Sequence, residues 1–396
     1  MLRHLPPTAV PFSAADLRGG FQAGPGHVEA FAGALEGYLG VRRCYLASSG
    51  RTALYLLLRG LARAGGDRRC EVVLPAYTCP SLARVILDLE LRPRLVDISP
   101  ETLGMDPVGL AQAIDDGTLA VIQVHPFGLP QAMAQVLAWS EQAGAAVIED
   151  AAQAMGARCD GWQVGTRGHF GLYSLGPGKP LSTAGGGVLS VNREEDMTMV
   201  GQWWRALPEA SRAQSAVAQA RMAAFNLAFH PRGWWAATRV GLHRAGDREE
   251  TWGYRLTGLT PVQASAGLVH LPRLDAINQS RRRRAGQLRE RLAGVAGIVF
   301  PAPAPGAEPI YLRLPVLVAS EGRREQLFQA LWAAGIGVGK MYRRALPDLF
   351  PELQGGHYPG ADYVAHHLLT LPTHHYVADG DVERMAEGVA TVLVEN

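Results

Sequence analysis

Between Glu149 and Gly187 the chain reads EDAAQAMGARCDGWQVGTRGHFGLYSLGPGKPLSTAGGG, and residues able to do chemistry together concentrate there. The apolar run Ala145-Ala146-Val147-Ile148 ends in two carboxylates, Glu149 and Asp150. Ser174 precedes the lysine Lys179, and the glycine run Gly185–Gly187 follows. An acid at the end of a strand can keep a ring nitrogen protonated. A hydroxyl can hold a phosphate while a nearby amine forms a Schiff base. These are the groups a protein supplies to pyridoxal phosphate (PLP), and that is the cofactor the stretch points to.

Such groups need elements to position them. Val28, Phe31, Leu35 and Leu39 recur at helical spacing and predict a helix over Gly26–Leu39. Cys44 to Ala47 reads as a short strand that breaks at Ser48-Ser49-Gly50-Arg51 into a helix over Thr52–Ala64. Free amides and the helix dipole favour an anion at such a start, which makes this turn a candidate phosphate cradle; the serines would serve equally as an ordinary N-cap. Apolar strands then alternate with helices: Val72–Leu74, Arg94–Val96, Leu119–Val124 and Ala145–Ile148, interleaved with Ser81–Leu89 and Met133–Ala143. That alternation predicts an α/β fold with a mainly parallel sheet between helices. Ligands on such sheets lie beyond the carboxyl ends of the strands. The turns at Ser48–Arg51, Ala76–Cys79, His125–Gly128 and Asp150–Gln153 all occupy such ends. Tyr77 is placed to cover a flat ring, whereas His125 suits packing or catalysis.

Composition sets the class. With 396 residues, 47% hydrophobic and 19% charged, the chain can bury a sizeable core. Its net charge of +2 gives no reason to expect a nucleic-acid partner. The four cysteines contain no Cys-x-x-Cys pair and fit reduced thiols. Neither a signal peptide nor a membrane-spanning run is evident, so a cytoplasmic location is expected.

The remaining organisation is expected as follows: an arm over 1–26, a large cofactor-binding domain over 27–260, a connecting helix over 261–296 broken near Pro272, and a small α+β C-terminal domain over 297–396. The last includes strands Tyr311–Val318 and Ile336–Met341, helix Gly322–Ala334 and a final helix from Asp381. Within the large domain, 193–251 is a helical excursion rich in Trp and Arg. It suits a substrate lid or subunit contact, and as a second reading a weak membrane-surface contact. The run Arg281–Arg284 reads as a solvated face. His366-His367 and His374-His375 lack carboxylates at ligand spacing, so no metal site is expected.

Taken together, these pieces resemble the DegT/DnrJ/EryC1/StrS family of PLP-dependent sugar aminotransferases. The resemblance rests on Ser49-Gly50-x-x-Ala53-Leu54, Pro75-Ala76-Tyr77-Thr78, Val124-His125-x-x-Gly128-x-Pro130, Glu149-Asp150-Ala151-Ala152-Gln153-Ala154 and Ser174-x-x-Pro177-x-Lys179, with Tyr254-Arg255-Leu256 through Gln263-Ala264 further on. It implies a fold-type-I PLP-dependent transferase with a seven-stranded sheet, working as a homodimer with shared active sites. It also implies transfer of an amino group from an amino acid, glutamate, to a nucleotide-linked keto-sugar in polysaccharide or glycoconjugate biosynthesis. The alternatives are a dehydratase-like relative, against which Lys179 argues, and a non-catalytic protein that keeps the fold. By the same resemblance Lys179 forms the Schiff base and Asp150 pairs with the pyridine nitrogen. Gln153 contacts the phenolic oxygen; Ser174, Ser49, Gly50 and Arg51 hold the phosphate, and Tyr77 lies by the ring. The chain departs from the family at three positions: Arg51 stands for threonine, Cys79 for an aromatic, and Gly253 for the asparagine that reaches the partner's phosphate.

Overall fold

The computed structural model describes residues 3–9, 12, 23–24, 26–66, 68–241 and 253–394. Most of the arm expected over 1–26, and the end of the 193–251 excursion, lie outside them. Helix α1 (Gly26–Leu39) leads into strand β1 (Arg43–Ala47) and helix α2 (Gly50–Gly65). The alternation continues through β2 (Glu71–Pro75), α3 (Pro80–Asp88), β3 (Arg92–Val96), α4 (Pro107–Ala113), β4 (Thr118–Val124), α5 (Ala134–Ala143) and β5 (Ala146–Asp150). A small hairpin, β6 (Arg158–Cys159) and β7 (Trp162–Gln163), precedes β8 (Phe170–Ser174) and β9 (Gly187–Val191). These strands build a seven-stranded sheet of order β1-β9-β8-β5-β4-β2-β3. Only β9 runs against its neighbours, so the sheet is mainly parallel. Every residue of β4 and β9 is buried, because helices cover both faces. Helix α2 supplies one cover, burying Leu54, Leu57 and Leu58 against the sheet. Truncating one such leucine to alanine costs about 2–5 kcal/mol.

Beyond the sheet come α6 (Glu194–Arg205), α7 (Arg212–Ala228), α8 (Pro231–Arg239), α9 (Pro261–His270) and α10 (Leu274–Arg291). The last two are separated by a 3-10 turn, Leu271–Arg273, where Pro272 breaks the helix as its missing N–H requires. The C-terminal part contains β10 (Ile298–Val299), β11 (Ala307–Glu308), β12 (Arg313–Val318), α11 (Glu321–Ala333), α12 (Leu346–Leu349), α13 (Pro359–His367), β13 (Leu368–Pro372) and α14 (Asp379–Val394). Strands β10, β12 and β13 form an antiparallel sheet with its own apolar core, while β11 joins β6 and β7.

Two expectations need correction. Residues 336–341 are not a strand but an extended segment with single bridges, Ile336 to Leu5 and Gly339 to Thr370. A side chain at Gly337 would begin 2.4 Å from the Leu5 carbonyl oxygen, so the N-terminal segment occupies the place a ladder would need. The run Arg281–Arg284 is not a solvated face. Arg281 is buried and donates to Asn278 Oδ1 (2.8 Å), and Arg282 donates to the carbonyls of Pro309 and Gly156. Helical spacing turns successive arginines to different sides, so a charge run in the sequence is not a charged face in space. The tryptophans of α6 pack inward. The Trp203 ring fills the space beside Gly60, and Trp204 packs on Tyr45 and donates its indole N–H to the Leu46 carbonyl at 3.2 Å. Among the described residues no helix is long and apolar enough to cross a membrane.

Candidate active site

The carboxyl ends of β2, β4, β5 and β8 open into one cavity of about 880 Å³. Tyr77, His125, Asp150 and Ser174 come from those ends; Ser49, Gly50, Arg51, Gln153 and Lys179 complete the set of sequence-predicted positions, all of them on the cavity wall. Glu149, the neighbour of Asp150, is not on the wall. Successive side chains on a strand point to opposite faces, and here that geometry assigns the two carboxylates different work.

Asp150 accepts the Ala152 amide at 2.9 Å, and among the described residues forms no ion pair. Burial pushes its carboxyl above the ordinary aspartate value, opposed by the Ala152 bond and by the fields of Lys179 and His125. A desolvated acid of this kind gains from a cation delivered into the cavity. Glu149 lies on the other side. Its oxygens accept the amides of Gly165 (2.9 Å), Arg167 (2.6 Å) and Gly168 (2.7 Å), and His125 Nε2 lies 3.3 Å away. Burial pushes Glu149 up, but the His125 bond and field and the amide bonds together hold it below its ordinary value. His125 is fixed from its other nitrogen, since Nδ1 accepts the Gln131 amide at 3.0 Å. The proton therefore sits on Nε2, facing Glu149. Glu149 thus organises the 165–168 turn and orients His125; it was present in the sequence motif, but nothing there separated its role from that of Asp150.

Lys179 sits on a loop closed at its base. Leu175 donates to the Gly186 carbonyl at 2.9 Å, while its own carbonyl accepts the amides of Thr183 (2.9 Å) and Gly185 (3.1 Å). The surrounding protein, in place of water, pushes the lysine amine below its ordinary value; the nearby Cys79 and Asp150 oppose this and Arg313 adds to it. The amine is thereby brought nearer to the neutral form that a nucleophile or base requires.

The cradle assembles where three segments meet. Ser174 pairs with Gly187 across the β8–β9 ladder, Gly187 pairs with Ala47 of β1, and Ser49 bridges Gly186. A side chain on Gly187 would begin 2.3 Å from the Gly50 amide nitrogen, so this approach requires glycine. Ser49 caps α2 by accepting the Thr52 amide at 3.1 Å, which leaves the early amides of the helix directed at the cavity. The N-cap reading is met at Ser49, and the same turn lines the cavity. Ser48 and Thr52 donate to the Arg255 carbonyl at 2.5 and 2.8 Å, tying the 253–260 segment to the cradle.

Gln153 is oriented by its acceptor oxygen, which takes the Phe127 amide at 3.1 Å. Its amide nitrogen then donates to Tyr342 Oη at 3.0 Å. Tyr342 was missed by sequence reasoning; it follows a stretch read as a strand, and nothing local marks it. It holds a φ of 47°, the left-handed region that is costly for an aromatic residue, and stands edge-on to Tyr77 with ring centroids 5.7 Å apart. Its hydroxyl also bonds with the Cys79 side chain, so the position where the resemblance expects an aromatic faces a ring from elsewhere in the chain. The Tyr77 hydroxyl is taken by the Met341 carbonyl at 2.5 Å, leaving its ring on the cavity wall.

Residues 14–390 match the DegT/DnrJ/EryC1/StrS aminotransferase family. The chain belongs to that family. Its members are PLP-dependent enzymes, and this protein is a PLP-dependent aminotransferase. It is similar to the UDP-N-acetyl-3-dehydro-alpha-D-glucosamine 3-aminotransferase of Acidithiobacillus ferrooxidans, 29% identical over 365 residues that cover 90% of this chain and 86% of the relative. In fold it is similar to Helicobacter pylori PseC, an aminotransferase involved in the biosynthesis of pseudoaminic acid (TM-score 0.81, 16% identity, 100% of both chains). It is also similar to the putative sugar aminotransferase Spr1654 of Streptococcus pneumoniae in its PMP form (TM-score 0.80, 22% identity, 99% of this chain and 98% of that one). The cavity fits PLP chemically: an acid without an ion partner among the described residues, a lysine depressed by burial and a turn rich in amides face one space. Thr78 Oγ1, buried in the same wall, has no partner among the described residues.

Proposed function

We propose that this aminotransferase moves an amino group from an amino acid, glutamate, onto a keto-sugar carried by a nucleotide. The observation that carries the reading is that Lys179 and Asp150 share one cavity with the cradle of Ser49, Gly50, Arg51 and Ser174. The nucleotide-linked sugar is supported by the 29% identical relative, named for a UDP-linked 3-dehydro sugar. When bound, PLP supplies an electron sink for the carbon that gains or loses the amino group. Asp150 holds the proton on the ring nitrogen, a role for which its buried carboxyl has no competing ion partner among the described residues. Ser174, the Ser49 hydroxyl and the amides at Gly50 and Arg51 hold the phosphate. Gln153 Nε2, aimed by the Phe127 amide, donates to the phenolic oxygen, and the Tyr77 ring borders the site. Lys179 Nζ takes and returns the proton in transfer. A homodimer is supported by apolar side chains left in solvent along the helical excursion: Val217 (59% exposed), which also lines the cavity, and Leu227 (72%) on α7, and Val240 (70%) after α8.

The direct test begins with absorbance. Purified protein with added PLP should show a visible band that is lost in Lys179→Ala, and glutamate should convert it. Keto-sugar nucleotides should then restore it, with the aminated sugar nucleotide detected by mass spectrometry. A protein that stays colourless with PLP would sink the reading, and conversion by no common amino donor would sink the donor assignment. Sedimentation at several concentrations tests the dimer.

A further inference from the structure

The cavity is unbalanced in charge. Among the described residues its wall carries three arginines, Arg51, Arg221 and Arg255, against one carboxylate, Asp150, which already faces Lys179. Arg221 and Arg255 stand apart from the rest. Neither guanidinium has a hydrogen bond or ion pair with any described residue, although both line a concave space. The Arg221 guanidinium lies 5.8 Å from the Phe225 ring centroid, so its stem is braced on α7. Both of its terminal nitrogens are 3.9 Å from the point where a side chain on Gly185 would begin. Gly185 adjoins Gly186, which bridges Ser49 in the cradle. Arg255 is fixed by its main chain, whose carbonyl accepts Ser48 and Thr52 at the start of α2. The wall opposite the sheet ends thus carries two exposed arginines, with the Arg221 fork near the glycine run of the cradle and Arg255 anchored there by its main chain. At Gly253 there is no side chain to reach a phosphate, and open space surrounds the place where one would start.

We propose that Arg221, supported by Arg255, is a phosphoryl clamp for this cavity. Arg221 and Arg255 are exposed at this concave wall; guanidinium groups so placed can bind phosphoryl oxygens through two parallel bonds, and a surplus of cations there draws an anion in. Two phosphoryl sources can meet the clamp: the 5′-phosphate of PLP and the diphosphate of a nucleotide-linked acceptor. The inference rests on the function proposed above and adds the residues that α7 and the 253–260 segment contribute to it.

Full-length Arg221→Ala, Arg221→Gln, Arg221→Lys and the double variant Arg221→Ala/Arg255→Ala test the clamp in two arms. One arm titrates apoprotein with PLP and follows the visible band. The other titrates PLP-loaded protein with uridine diphosphate by calorimetry. A charged bond of this kind corresponds to a loss of about tenfold or more in affinity. That loss for PLP assigns the clamp to the cofactor; the same loss for uridine diphosphate, with PLP affinity kept, assigns it to the acceptor. Arg221→Gln guards against lost packing on Phe225, and Arg221→Lys should fall between wild type and Ala. If all variants bind both ligands within twofold of wild type, the clamp is wrong while the function stands. If wild type itself binds neither, both readings fall.

Discussion

The cavity's inner wall is made of strand ends, and its side chains are fixed from several directions. Asp150 is set by β5 and by the Ala152 amide, Gln153 by Phe127 and Tyr342, and His125 by Gln131 and Glu149. The outer wall is made of α7 and the 253–260 segment, where Gln214 reaches Thr257 only at 3.5 Å and the guanidiniums of Arg221 and Arg255 have no hydrogen bond or ion pair with a described residue. A wall that must hold reacting groups to a fraction of an ångström is built on the rigid sheet. A wall that meets a variable substrate is built on a helical insertion able to change without disturbing the sheet.

Substitutions can break this contrast, starting with the inner wall. Lys179→Ala should lower amino transfer by about a thousandfold or more, as expected for loss of the proton-transferring amine, and leave thermal stability close to wild type. Steady-state rates and calorimetry check both halves. Glu149→Gln should act on stability instead. It places an amide donor against the Gly165, Arg167 and Gly168 amides and should cost about 2–4 kcal/mol in denaturant unfolding. An unchanged midpoint would remove Glu149 from the framework.

Acid should weaken the frame in a defined window. Burial holds His374 down to about 3, and His169 and His375 to about 4, below the ordinary histidine value of 6.5. Between those limits the unfolded chain binds more protons than the folded one, so stability rises with pH and is lost as pH falls from about 6.5 toward 4. Glu149, held below its ordinary 4.5, adds loss in the same direction at lower pH. Melting temperatures at pH 7, 5.5 and 4.5 measure the slope, and His169→Gln should make it shallower. The smallest effect is expected for Tyr342→Phe. Loss of the bond to Gln153 should lower the rate by about tenfold or less and shift the absorbance of bound PLP, with little change in its affinity. An unshifted spectrum would detach Tyr342 from the cofactor's phenolic side.

How far the sequence could be read follows from the range of the forces. The helix at Gly26–Leu39 and the apolar strands were legible because periodicity is local and their burial is uniform. The break at Pro272 was legible because proline acts on its own turn. Tyr77, His125, Asp150 and Ser174 were legible because each lies at a strand end or one or two positions past it. Tyr342 was not, since its place depends on β12, β13 and Leu5 turning 336–341 away from a ladder. The fate of Arg281–Arg284 was likewise decided by what packs on α10.

By itself, then, the sequence determined an α/β chain whose strand ends carry Tyr77, His125, Asp150 and Ser174, with Lys179 on a glycine-flanked loop. Alternation and turn chemistry impose these features residue by residue. Tertiary structure alone decided that Glu149 faces a cage of amides while Asp150 faces the cavity. It also decided that Tyr342 meets Gln153, and that one arginine from the insertion and one from the 253–260 segment line the same space with no ion pair among the described residues. Those outcomes depend on which distant segments share a wall, and contacts of that range leave no period in the chain.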